Sequence, residues 1–487
     1  MKEARNSVHD HSHSENRFAV ISTPQRLQIE MQRAGKNVTI AFVDSGFYPH
    51  PDLVNPVNRI IAYHDVTNPK ARLMSATAPE AWAWHGTQTA VSAAGNGYLS
   101  DGIYRGLASE ANVVLVKVSE RGKITEENIV RGLRWVIANK ERFHIGIVSI
   151  SLGGDEDVPY EQNTVDRLAE EAMANGIVIV VAAGNSGCTN RHHTVPPANA
   201  PSVITVGGYD DGNRLSAEDL KLYCSSFGAT ADGFLKPEII APAMWIAAPI
   251  LPETDLYAKA EALSQLLNAP DYRIGMLLQK VWIVAGLSST MLTASADVIR
   301  TSVESAIRSN KIISAHYQHV DGTSFAAPIV ASLVALMLEI NPGLTPAAVK
   351  NILISTAERI GNAPVLRQGY GVINARAALE QASRERHFSG DGYFLPPRVQ
   401  ENQLLFSFHH DTAETVSLAG DWNAWNAESD RLKKSDSGIW QIAVPLPAAG
   451  RYRYKFVVNG EQWMDDPSNG MKEPDGYGGF NSILKVL

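Results

Sequence analysis

In the stretch VDGTSFAAPIVASLVAL, residues 320–336, Ser324 sits in a Gly-Thr-Ser corner directly ahead of small residues and an apolar run. Ser and Thr are common N-caps and Pro is tolerated in a first helical turn, so a structural cap is one reading of this corner. The other reading is a nucleophile. A serine hydroxyl attacks poorly at neutral pH unless a base lies within hydrogen-bond reach, another group orients that base, and donors await the developing oxyanion. Three further windows hold residues of those types. VTIAFVDSGFYPHPDL ends an apolar run on Asp44, WHGTQTAVSAAGNG carries His85 ahead of small residues, and IVIVVAAGNSG ends another apolar run on Asn185 between glycines. Taken singly, each is equally a cap or a turn residue.

These residues need a frame, and the chain between Asn37 and about Ala382 supplies a rhythm for one. VTIAFVD (38–44), VVLVKV (113–118), IGIVSIS (145–151) and IVIVVAA (177–183) are apolar at nearly every position, as strands covered on both faces are. Helical stretches such as 125–142 and 161–175 lie between them. The alternation predicts an α/β fold, a mostly parallel sheet with helices on both faces. Such a sheet builds its sites at the carboxyl ends of its strands, where Asp44 falls. Residues 252–317 break the rhythm with helical patterns only and read as a helical insertion. After a turn-rich linker over 384–401, the segments QLLFSFHH, ETVSLAG, GIWQIAVPL, GRYRYKFVVNG and SILKVL alternate as short strands do. They predict an immunoglobulin-like β-sandwich over 402–487. Residues 1–25, with His9, His11 and His13 alternating, read as a flexible, solvated tail ahead of a 26–383 α/β domain.

Taken together with their flanks, the four windows resemble the subtilisin-like serine proteases (subtilases) over roughly residues 36–382, in the chain order Asp, His, Ser. The resemblance implies that Ser324 is the nucleophile, His85 the general base and then acid, and Asp44 the orienting carboxylate. It implies an oxyanion hole from the Asn185 side chain and the Ser324 backbone N–H. It also implies that Ser151, Leu152 and Gly153 of SISLGG pair with an extended substrate and line one wall of its first pocket. Ala182, Ala183 and Gly184 would form the opposite wall, with Val195 near the base. The 139 residues from Asn185 to Ser324 exceed the spacing of simple subtilases, and the insertion accounts for the excess. It reads either as an inert surface insertion or as a lid, a gate or an arm for homo-oligomer formation. No inhibitory pro-domain is expected ahead of Asp44, and the tail lying across the cleft is one restraint to consider. Subtilases usually hold structural Ca²⁺. GGDEDVP (153–159) is acidic, but no ligand set is assigned, and the reaction is expected to need no metal or cofactor.

The segments TVSLAGDWNAWN, AGRYRYKFVVNGEQWMDDPSN and GFNSILKV resemble the glycogen-binding modules (CBM48 type) of the AMP-activated kinase β subunit and of branching and debranching enzymes. By position, the resemblance implies sugar-binding roles for Trp425, Lys455, Trp463 and Asn481. Indole faces stack on glucose rings, while Lys and Asn bind hydroxyls. Tyr477 stands where an aliphatic residue that enters the helical glucan is common. Modules of this type also serve as packing domains, and Trp422 and Trp440 read as core.

Bulk properties exclude several classes. A length of 487 residues suggests two or three domains, and 45% hydrophobic with 19% charged residues is globular composition. A net charge of -8 argues against nucleic acid as a partner. The best apolar run, 274–292, carries Gln279 and Lys280 and reads as a buried helix rather than a membrane span. The N-terminus lacks the apolar core of a secretory signal. With Cys188 and Cys224 alone, no disulfide framework is expected, Cys188 reads as a buried thiol, and the setting is expected to be cytoplasmic. The function expected is a serine endopeptidase acting on protein or peptide substrates and tethered to, or regulated by, glycogen or another α-glucan. The alternatives are a glucan-binding scaffold with a silent or gated site, and a processing protease whose β-sandwich docks one protein partner.

Overall fold

The computed structural model describes residues 17–486 except 31, 76–77, 156–157, 191, 217–218, 386–395, 401, 411 and 436–437. Its chain divides into two compact units, one of residues 22–248 with 320–487 and one of 249–319 with the residues up to 21.

The larger unit is organised by a parallel sheet of seven strands: β1 (Thr39–Asp44), β2 (Ile60–Asp65), β3 (Asn112–Lys117), β4 (Ile145–Ile150), β5 (Val178–Ala182), β6 (Ile204–Asp210) and β7 (Ile239–Pro242). Their order is β7-β6-β5-β4-β1-β3-β2, and the two-residue strand Lys221–Leu222 adds to β6 antiparallel. All six residues of β1 are buried, and successive ones feed different cores. Ile40 and Phe42 join Val180, Ala326, Val330 and Leu333 on one face, whereas Ala41 and Val43 join Val148, Ile129, Leu133 and Leu168 on the other. Helices therefore cover both faces. Helices α1 (Ala83–Ala94) and α4 (Thr323–Ile340) contribute to the first core, and α2 (Glu126–Phe143) and α3 (Thr164–Ala174) to the second. Helix α4 is long and apolar enough to cross a membrane by composition, but it lies inside the protein core. Each of its fully buried aliphatic side chains contributes roughly 1.5–3 kcal/mol.

The same unit contains an antiparallel two-sheet region toward the C-terminus. One sheet joins β8 (Gln403–His409) to β10 (Ile439–Pro445), and the other joins β9 (Val416–Gly420), β11 (Gly450–Val458) and β12 (Phe480–Val486). Phe406, Phe408, Trp440, Tyr454 and Phe456 fill the space between them, with Trp422 packed against that core. Arg398–Gln400 pairs with β8, so the first strand lies inside the stretch expected to be linker.

The second unit holds helices Asp255–Asn268, Asp271–Val281 and Ala296–Ser309. Leu263, Leu266, Ile274, Leu278, Ile299, Val303 and Ile307 are buried among them. Of the tail expected to be flexible over 1–25, residues 17–21 belong to this unit and residues 22–25 to the larger one. Phe18 is only 8% exposed and lies 5.0 Å beneath the Arg308 guanidinium, while Arg17 pairs with Glu304 at 2.5 Å. His9, His11 and His13 lie outside the described residues.

Candidate active site and a second cleft

Asp44 ends β1 at the carboxyl edge of the sheet, its side chain 3% exposed. Its Oδ1 accepts from Ser45 N at 2.7 Å and faces His85 Nδ1 at 2.8 Å, while Thr89 Oγ1 donates to Oδ2 at 3.3 Å. His85 lies in the first turn of α1. That approach requires glycine next to it, because a Cβ on Gly86 would sit 2.3 Å from Gly46 O and 2.9 Å from the Asp44 Cβ. Burial pushes the imidazole pKa down, but the charge and hydrogen bond of Asp44 outweigh it and leave the pKa raised above 6.5. An imidazole held this way takes up a proton readily and is stabilised as imidazolium.

Ser324 is the second residue of α4, entered through Gly322 at φ 139°, a conformation that side chains resist. Asn185 follows β5. Its Oδ1 accepts from Thr323 N at 3.0 Å and Thr323 Oγ1 at 3.1 Å. The first of those partners is a backbone donor, which fixes the carboxamide with oxygen toward it and Nδ2 directed elsewhere. Ser151 Oγ donates to Ser324 O at 2.8 Å, joining the 151–153 segment to the start of α4. Leu152 is half-buried and Gly153 exposed. A Cβ on Gly153 would meet the Val195 side chain at 2.7 Å, so Val195 abuts this wall. Ala183 is buried, with Ala182 and Gly184 half-buried beside it, and Gly184 N donates to Thr323 Oγ1 at 3.1 Å.

A cleft of about 310 Å³ is lined by Asp44, His85, Ser151 and Leu152, and also by Trp82 and Trp84. Trp84 is 50% exposed and meets the His85 ring edge-on at 5.3 Å.

A larger cleft of about 620 Å³ opens on the β-sandwich. Trp425, Lys455, Trp463 and Asn481 all line it, with Asp475 and Tyr477. The two indoles stand 6.3 Å apart at 36°. Lys455 Nζ lies 2.5 Å from Asp475 Oδ2. Burial raises the Asp475 pKa, but Lys455 and the N–H groups of Tyr477 and Gly479 more than offset this and hold it below the usual carboxylate value. Tyr477 is 96% exposed at the rim.

The subtilase family profile matches residues 35–371. The chain belongs to the subtilase family. The profile of carbohydrate-binding module 48 (isoamylase N-terminal domain) matches residues 395–469. Among relatives, serine protease AprX of Bacillus subtilis (strain 168) is 34% identical over 353 residues, covering 71% of this chain and 66% of that protein. The chain thus spans just under two thirds of that relative. The major intracellular serine protease of the same organism is 34% identical over 187 residues, 37% of this chain and 54% of its own length. The crystal structure of fervidolysin from Fervidobacterium pennivorans, a keratinolytic enzyme related to subtilisin, superposes with a TM-score of 0.50. It shares 21% identity over 90% of this chain and 54% of that one, which shows the fold.

Two features of this subtilase escaped the sequence reading. Cys188 and Cys224, expected to be unpaired, form a disulfide with Cα atoms 5.3 Å apart. The bond fastens the loop that follows Asn185 to the 224–226 segment, beside Gly187 N to Cys224 O at 2.9 Å and Ser226 N to Gly184 O at 2.9 Å. A separation of 36 residues carried no local sign of the pairing, although two cysteines in one chain are the minimum for it. The second feature is the indole pair, whose signal was the run AWAWH directly before the histidine. The acidic loop considered for Ca²⁺ has Glu156 and Asp157 outside the described residues, and among those described no cluster of three metal-binding side chains occurs.

Proposed function

We propose that this subtilase is a serine endopeptidase that cleaves peptide bonds through an acyl-enzyme, and that its C-terminal β-sandwich binds α-glucan. Ser324 Oγ attacks the scissile carbonyl carbon and passes its proton to His85 Nε2. Asp44 holds the imidazole by Nδ1 and stabilises the imidazolium. The oxyanion is bound by Asn185 Nδ2 and Ser324 N–H, at the N-terminus of α4, where unpaired N–H groups favour negative charge. Collapse of the intermediate breaks the C–N bond, and His85 gives its proton to the leaving amine. A water, deprotonated by His85, then releases the acyl group from Ser324. No step draws on a metal or cofactor.

Substrate backbone runs between Ser151–Gly153 and Ala182–Gly184 in this reading, and Val195 beside Gly153 restricts the first pocket to small or medium side chains. The observation that carries the reading is the 2.8 Å bond between His85 Nδ1 and the buried Asp44. In a peptide-hydrolysis assay, Ser324→Ala should lose on the order of 10⁶ in kcat while its thermal melt is retained. Undiminished hydrolysis by that variant would remove the assignment.

Support for glucan binding comes from the module match over 395–469 and from a cleft lined by two indoles, an amide and an ion pair. Retention on amylopectin resin, lost in Trp425→Ala, tests it. A cytoplasmic setting is part of the sequence reading, and the paired cysteines weigh against it because such bonds persist in oxidising compartments. Thiol titration of protein from freshly lysed cells decides between the two.

A further inference from the structure

Arg359 lines the sandwich cleft although it belongs to the subtilase portion of the chain, within the 35–371 match. Its anchorage runs to the central sheet. Glu358, its neighbour, exchanges backbone hydrogen bonds with Val372 at 2.8 and 2.7 Å, and Gly371 O and Ile373 N bond Ile240 of β7 at 2.8 and 3.0 Å. From that base the guanidinium reaches out, donates from Nη1 to Gly478 O, and lies 5.2 Å over the Phe480 ring. Both partners are walls of the same cleft. A guanidinium carries five N–H donors in a planar fork, and this bond engages one of them.

The two portions of the chain are also held together next to the cleft. Tyr370 OH donates to Asp465, Lys472 Nζ pairs with Asp465 and lies 5.1 Å over the Tyr370 ring, and Tyr370 meets Phe480 at 5.7 Å. Met471 bridges to Phe234 on the subtilase side. Asp465 and Phe480 thus serve the contact and the cleft at once.

We propose that the subtilase portion completes the sugar site: Arg359 donates hydrogen bonds to glucose hydroxyls, so that one bound α-1,4-glucan chain touches both portions of the protein together. The inference rests on the glucan-binding reading above. Glucan is uncharged, so Arg359 acts on it through directed N–H donors rather than net charge.

The test is calorimetric titration with maltoheptaose, using the full chain carrying Ser324→Ala to prevent self-digestion. Arg359→Ala should weaken binding about tenfold, equivalent to about 1.4 kcal/mol, with little dependence on salt. Arg359→Lys should recover part of the loss, and Trp425→Ala should abolish binding. Tyr370→Phe removes the neighbouring interface hydrogen bond without lining the cleft, and its affinity should match the parent. Unchanged affinity in Arg359→Ala with loss in Trp425→Ala would overturn the shared site while leaving glucan binding intact. An equal loss in Tyr370→Phe and Arg359→Ala would mark domain docking rather than sugar contact and overturn it too. A parent chain that binds no maltoheptaose would sink the glucan reading itself, and the shared site with it.

Discussion

Asp44 and Trp463 stand at opposite extremes of two clefts in one compact unit. The Asp44 carboxylate is 3% exposed, closes a strand buried along its whole length, and is fixed by hydrogen bonds from Ser45, Thr89 and His85. Trp463 is 44% exposed on the three-residue strand Gln462–Met464, and Tyr477 projects from a turn whose Gly476 and Gly478 both have positive φ. Proton transfer tolerates little displacement, so its groups must be locked by packing and supporting hydrogen bonds. Stacking on a sugar needs an open aromatic face, and it tolerates the looser support of a short strand and turn. Placement in the first cleft comes from the sheet and its two cores. In the second it comes from the sandwich, with Arg359 reaching in from the subtilase portion.

Substitutions that respect this division should leave one cleft working while the other fails. The largest effect after loss of Ser324 itself is expected at the oxyanion donor. Asn185→Ala should lower kcat by about 10²–10³ with little change in KM, and leave maltoheptaose affinity unaltered. A loss of glucan binding in that variant would break the separation. Next comes the disulfide beside Asn185. Cys188→Ser should lower stability by about 2–4 kcal/mol in denaturant melts and reduce kcat, because the loop presenting Asn185 loses its covalent tie. Trp463→Ala is the converse case. It should weaken glucan binding about tenfold and leave kcat/KM on a short peptide as in the parent.

The smallest effect is a displacement along the pH axis. Because Asp44 raises the His85 pKa, the acid limb of kcat/KM should have its midpoint above 6.5, activity rising as the imidazole loses its proton. The same shift acts on stability with the opposite sign. A histidine whose folded pKa exceeds its unfolded one stabilises the fold fully below about pH 6.5, and that contribution fades as pH rises through the folded value. Asp44→Asn should move the acid limb downward, and an unmoved limb would assign it to another group.

Residues with a local pattern were legible in advance. Asp44 and Asn185 close runs of consecutive apolar residues, and such runs form strands covered on both faces whatever lies between them. Gly86 directly follows His85 and Gly322 stands two residues before Ser324, but only the structure shows that the first permits close approach and the second a positive φ. The four residues proposed to bind glucan, Trp425, Lys455, Trp463 and Asn481, also line one cleft. What lay hidden depends on contacts distant in sequence. The Cys188–Cys224 bond joins two loops, Arg359 comes to the sandwich from over 60 residues before Trp425, and Phe18 packs with helices some 250 residues on. No period or composition encodes such encounters. Trp84 is the intermediate case, visible beside His85 but recognisable as a cleft wall only once α1 is placed.

The central claim is that Ser324, His85 and Asp44 act as one chemical unit. Incubation with a fluorophosphonate probe, followed by mapping of the adduct by peptide mass spectrometry, reads it most directly. The account predicts one phosphonyl group on the peptide containing Ser324, and none there in His85→Ala. A folded protein that stays unlabelled, or that is labelled at a different serine, would contradict it.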